Sequence, residues 1–304
     1  MNNSYNLNRM PLNEVVRKHG SSKLFLSAIV ITFVYVTLNL LYSIFSTVAS
    51  FNTSIPFVDL GGYFDEEIYI VLFATFLIAV VNSILSFVQC GYLYSAYSFF
   101  SGRAGNKDAL KSFTRVFLAQ MIVTIVEMPI VMLGTVSSMD DSYAIPGILE
   151  AFTIIMAIIL IPILAGVIVL GIFQYKGIKK SVNHALAAYE NRNSGKLSIF
   201  VLVIAFIVAV GNGISLLMQI VSFAASPLLG VYNLITYFVS FTVMALSLIA
   251  TVMFIVLMFR FKDDMEFAKQ EWYFIESQKA QIRAREYAAS QQAQANNSFD
   301  NTQI

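Results

Sequence analysis

The chain has one cysteine, Cys90, two histidines and one tryptophan in 304 residues, and only 12% of its side chains are charged. Each shortage removes a class of protein. One cysteine cannot build a disulfide framework or a cysteine-based zinc site, and His19 and His184 are too far apart in sequence to suggest a metal centre. A formal charge of +1 supplies no basic field for nucleic acid. No HExxH or GxSxG motif, no pair of intramembrane aspartates and no cofactor fingerprint occurs, so neither an enzyme nor a bound cofactor is expected. A charged fraction near half the usual value of about 25% leaves too little polar surface to solvate a globule.

What the chain has in excess is apolar length: 58% of residues are apolar and the mean hydropathy is +0.72. A bilayer core about 30 Å thick needs about 20 apolar residues per helix, and six runs qualify without an internal Lys, Arg or Asp. They are Leu24 to Ser50, Ile68 to Tyr94, Val116 to Val136, Pro146 to Phe173, Leu197 to Phe223 and Tyr232 to Phe259. Runs such as Ile154 to Ile172 do not alternate in polarity as barrel strands do, so helices must satisfy the backbone in lipid. The sequence therefore predicts an all-α, polytopic membrane protein with four regions: a cytoplasmic segment 1–23, a six-helix domain 24–259, a cytoplasmic helical extension 260–289 and a disordered tail 290–304. The first span is too long for a signal h-region and is expected to remain as an anchor.

Charge sets the expected orientation. All 19 Lys and Arg residues precede span one, follow span six, or join spans two to three and four to five. That is the cytoplasmic side by the positive-inside rule, so both termini are expected in the cytoplasm of a plasma-membrane protein, against an anionic inner leaflet. Ten acids share this side, for a net +9, while Asp59, Asp65, Glu66, Glu67, Asp140 and Asp141 occupy the opposite loops. A near-neutral total conceals a charge dipole.

Several segments outside the spans have helical patterning. Pro11 to Gly20 reads as a short helix with Leu12, Val15 and Val16 on its apolar edge, either seated on the inner membrane surface or docking a partner. Lys107 to Arg115 and Lys176 to Lys196 read as amphipathic connectors in the interface, seated on lipid or contacting a cytosolic subunit. After Phe259 a 4-3-4-3 spacing places Met265, Trp272, Ile275 and Ile282 on one seam, interrupted by Lys279. These four are the candidate contacts for a cytosolic or membrane protein partner or a second copy of the chain; packing against the inner loops is the competing reading.

Polar residues inside the spans carry the rest of the information, because they are costly in lipid. Glu127 falls roughly 16 Å into span three, near the bilayer midplane. Gln120, Thr124 and Glu127 share one helical face, followed by Pro129. Asn39, Asn82 and Asn212 lie at similar depth, and Asn212 sits in a Gly-Asn-Gly sequence that suggests a close crossing or local unwinding. These six residues are the candidate substrate or ion site. The bland alternative is that the amides, with Gln89 and Gln219, are interhelical glue. Residues 79–89 (AVVNSILSFVQ) and 209–219 (AVGNGISLLMQ) share Ala, Val, Asn, Ile and Gln. Their spans run in opposite directions, as in a 3+3 inverted repeat, which would place a site at the midplane between halves.

The stretch Gly91 to Phe117, GYLYSAYSFFSGRAGNKDALKSFTRVF, resembles the corresponding loop of poorly characterised six-helix integral membrane proteins of low-GC Gram-positive bacteria, and of the membrane domain attached to some glycerophosphodiester phosphodiesterases. The resemblance covers under a tenth of the chain and implies a bacterial six-helix membrane protein. No catalytic domain is expected beside it, so the resemblance carries over no activity and no site residue. Function is then expected to be that of a transporter or permease subunit, or of a non-transporting scaffold acting through its cytoplasmic helix.

Overall fold

The computed structural model describes residues 11–54, 66–137, 148–192, 197–225 and 231–300. These form seven helices and no strand: α1 (Leu12–Gly20), α2 (Lys23–Ser54), α3 (Glu66–Phe100), α4 (Ala109–Ser137), α5 (Ile148–Tyr189), α6 (Ile199–Ala225) and α7 (Val231–Asp300). Six of them, α2 to α7, are long and apolar enough to cross a membrane and coincide with the six sequence-predicted spans. Pro129 and Pro162 lie inside α4 and α5 without ending them. Membrane helices accept such prolines because neighbouring groups re-satisfy the freed carbonyl.

Each spanning helix packs on the next in chain order, and α7 returns to α2, so the six close into a ring. Lipid can cover the outside, which is why large apolar side chains such as Phe206, Leu217 and Phe238 are exposed there. The buried apolar cluster lies instead at the basic end of the ring. Short α1 lies across this end, touching α3, α5 and α7. Its Leu12, Val15 and Val16, each at most 3% exposed, pack among Ala96, Phe100, Ala109, Ala188, Phe261, Met265 and Ala268. Burying each of these three side chains is worth about 1.5–3 kcal/mol. Lys18 Nζ donates to Asp264 Oδ2 at 2.8 Å, His19 Nε2 lies 2.9 Å from the same oxygen, and the His19 ring meets Phe261 edge-on at 5.7 Å.

The turn from α3 to α4 supports this cap. Gly102 has φ +74°, and a Cβ on Gly105 would collide with the Ser95 carbonyl and the Phe99 backbone nitrogen, so both glycines answer a local demand. Asn106 Oδ1 accepts from the Asp108 amide at 2.8 Å just before α4 begins.

Several expectations are corrected. The apolar edge of α1 faces other helices, not lipid. The two amphipathic connectors are not separate interface helices: Lys111 to Arg115 are the first turns of α4, and Lys176 to Tyr189 are the last turns of α5. Continuing a hydrogen-bonded helix costs less than nucleating a new one. The Gly-Asn-Gly sequence neither unwinds α6 nor makes a close crossing, since a Cβ on Gly211 or Gly213 would meet nothing within 4 Å. Helix α7 runs on through Ser290 to Asp300, where a disordered tail was expected. Met265 is buried within the chain and so is not a free partner contact. Asp59, Asp65, Asp140, Asp141, Lys196 and the last four residues lie outside the described residues.

Candidate functional site: polar ladders and a central cavity

Two antiparallel helix pairs are joined by side-chain ladders. On α3, Asn82, Ser86 and Gln89 occupy one face at spacings of four and three, and they meet α4. Asn82 Nδ2 donates to Glu127 Oε2 at 3.0 Å, Gln120 Nε2 to Ser86 Oγ at 2.8 Å, and Gln89 Nε2 to Gln120 Oε1 at 2.5 Å. The carboxylate of Glu127 is thus tied to an amide donor on the adjoining helix, and Asn82 Oδ1 is buried without a partner.

On α6, Asn212 Nδ2 donates to Ser247 Oγ at 3.0 Å and Gln219 Nε2 to Ser240 Oγ at 2.6 Å, both on α7. The register repeats. In each pair an Asn and a Gln seven residues apart meet two α4 or α7 residues that are also seven apart. Span two pairs with span three as span five pairs with span six, which is the correspondence that an inverted 3+3 repeat requires. The glue reading of Asn82, Gln89, Asn212 and Gln219 describes these contacts directly.

Inside the ring, all seven helices line one cavity of about 470 Å³. Its walls include Ile29 and Tyr35 from α2, Gln89 and Leu93 from α3, Phe117 from α4, Gln174 and Ser181 from α5, Val201 and Val208 from α6, and Ser247, Thr251 and Phe254 from α7. Val16, His19 and Gly20 of α1 close it at the basic end. Volume and concavity fall within the range of small-molecule sites.

The six candidate residues therefore separate. Asn82, Gln120 and Glu127 come together in the α3–α4 ladder. Asn212 belongs to the α6–α7 ladder, where its partner Ser247 also lines the cavity. Asn39 is half-buried and offers its backbone carbonyl to Ser43 Oγ at 2.9 Å, joining neither ladder. Thr124 does not join the face it was expected to share: it is exposed, and its hydroxyl donates to the Gln120 carbonyl at 3.1 Å. Glu127 is absent from the cavity wall. Tyr35, Gln174, Ser247 and Thr251 were not singled out from sequence. Ser and Thr are common in apolar helices, where their hydroxyls bond back to the preceding turn, so they give no distinctive signal.

Outside the spans, the hydrogen bond from Lys18 is the main influence on Asp264. With His19 it holds the carboxyl below its ordinary range, against the opposing effect of partial burial. Among the described residues no group of three or more His, Cys, Asp or Glu side chains is arranged to hold a metal ion.

The architecture defines a multi-pass α-helical integral membrane protein with a cavity lined by all seven helices. Comparison with known protein families, curated proteins and solved structures finds no match.

Proposed function

We propose that the chain is a carrier or permease subunit whose ligand occupies the central cavity, with the basic end facing the cytoplasm and α1 as its closure. The observation that carries this reading is the cavity itself, because a ring of six helices packed only for stability would fill its axis with side chains. The positive-inside rule supplies the orientation. Glu127, bonded to Asn82, acts here by pairing α3 with α4, and ligand passes along Tyr35, Ser247 and Thr251 instead.

The experiment is thiol labelling in membranes. In a Cys90→Ala background, Ser247→Cys should react with a small membrane-permeant thiol reagent, and Val15→Glu, which drives α1 off its seat, should admit an impermeant reagent from the basic side. A Ser247→Cys thiol that reacts with neither reagent refutes an accessible cavity.

The second reading, a scaffold, draws support from a different observation. Beyond the bundle α7 exposes Phe267 (61%), Phe274 (54%) and Ile282 (55%), while Trp272 and Ile275 are half-buried. A cytosolic protein or a second copy binding there would be seen as loss of co-purification or of oligomer in Phe274→Glu/Ile282→Glu.

A further inference from the structure

We infer that the cavity takes the hydrocarbon chain of a membrane lipid, admitted sideways between α5 and α6. This rests on the cavity reading above and adds the chemical class of its occupant.

The first ground is the chemistry of the wall. Thr32 Oγ1 donates to the Ala28 carbonyl, Thr251 Oγ1 to the Ser247 carbonyl and Ser181 Oγ to the Gly177 carbonyl. Gln89 donates to Gln120, Ser247 Oγ accepts from Asn212, and His19 is bonded to Asp264. Most polar groups on the wall are already satisfied within the protein. An ion or hydrated solute entering would surrender water and find little to replace it, whereas a hydrocarbon chain asks for nothing. At about 470 Å³ the space is about three times the 150 Å³ apolar cavity that stays dry and admits benzene, which suits one chain without its headgroup.

The second ground is a gap in the ring. At their basic ends α5 and α6 are pressed together. A Cβ on Gly177 would lie 2.7 Å from Val201 Cγ2, Ser198 N reaches Ser181 Oγ at 3.4 Å, and the Phe173 and Phe200 rings are 5.5 Å apart. Farther along, no such close approach is seen among the described residues. A Cβ on Gly166 or Gly211 would meet nothing within 4 Å, and Ile163, Leu170, Phe206 and Val210 are exposed. Val208 lines the cavity and keeps 44% of its surface exposed, and the inferred mouth is placed there. It lies nine residues past Ile199, about 14 Å along α6, at a depth where the neighbours are lipid tails and not water.

The test uses the full chain in liposomes that contain a phospholipid with a photoactivatable diazirine midway along one chain, followed by peptide mass spectrometry. Adducts are expected at interior Ile29, Ala250 and Thr251 as well as at outward Phe206 and Phe238. Gly211→Leu/Gly213→Leu should reduce the interior adducts severalfold and leave the outward adducts at Phe238 unchanged. Val208→Trp, at the mouth itself, makes the same discrimination should the double variant fail to fold. Interior labelling that neither variant diminishes overturns the lateral entry. Absence of interior adducts while Ser247→Cys still reacts with a small thiol reagent overturns the lipid occupant and leaves the cavity reading standing; an unreactive Ser247→Cys removes that reading too.

Discussion

Leu12→Ala tests what keeps α1 in place. Two forces are available: burial of Leu12, Val15 and Val16, and the bonds from Lys18 and His19 to Asp264. Leu12 is 2% exposed, so truncation should cost about 2–5 kcal/mol, the lost transfer energy plus the cavity left behind. The Lys18 and Asp264 side chains are 52% and 38% exposed, and a pair so screened is worth only about 0.2–1 kcal/mol. At about 1.4 kcal/mol per tenfold, Leu12→Ala should raise the population of undocked α1 by about 30-fold to several thousandfold, and loss of the Lys18 pair in Asp264→Asn, whose amide oxygen can still accept from His19, by about fivefold or less. Hydrogen exchange of the amides of residues 14–20, read by mass spectrometry in a membrane mimetic, reports this population. The reasoning fails if Asp264→Asn accelerates exchange more than Leu12→Ala, or if Leu12→Ala leaves it unchanged.

Four further outcomes are expected. Because the Asp264 pKa is depressed in the docked state, its contribution is complete above the ordinary carboxylate range and is lost as pH falls through the lowered value; α1 exchange, corrected for intrinsic rates, should therefore rise modestly below about pH 4 and Asp264→Asn should abolish that rise. Glu127→Gln can still accept from Asn82 and should leave thermal stability in detergent near wild type, whereas Glu127→Leu strands a buried amide and should cost about 1–3 kcal/mol; equal losses in both would mean that the charge itself is required. Met265→Ala should destabilise by about 2–5 kcal/mol and Ile282→Ala by less than about 0.5 kcal/mol in the isolated protein, since Met265 is 3% exposed and Ile282 55%; similar values in a denaturation series would contradict the placement of α7. Gly105→Ala, which meets backbone atoms, should lower the melting temperature, while Gly166→Ala, which meets nothing and gains up to about 1 kcal/mol of helix propensity, should raise it or leave it unchanged.

The spans were legible because lipid leaves a chain few options: long apolar runs become helices, and α2 to α7 fall where hydropathy alone places them. The Asn and Gln positions were legible for the same reason, since a polar group in an apolar run must find a partner, and Asn82, Gln89, Asn212 and Gln219 all do. Sequence could not say which helix supplies that partner. Glu127 reads equally as an ion site and as a pairing group, and what the structure adds is its partner, Asn82, 3.0 Å away. The cavity was invisible because it is a property of the ring: Tyr35, Ser247 and Val208 come from α2, α7 and α6, and no local pattern connects them. The buried side of α1 was legible as an apolar edge, but the same edge suits lipid or protein, and only the adjacent Phe100, Ala188 and Met265 decide between them.

The length of α7 has a mechanical consequence. The helix that supplies Phe261, Met265 and Ala268 to the seat of α1 continues without a break to Asp300, about 60 Å beyond Phe259 at 1.5 Å per residue. A tilt of about 10° about that point sweeps the far tip through about 10 Å but shifts Met265 by less than about 2 Å. A shift of even 0.5–1 Å forfeits about a quarter to a half of a close contact's attraction. The outer arm is therefore a lever with a large mechanical advantage, and a weak lateral load at its end is delivered as a concentrated strain on the seam that holds the cap shut.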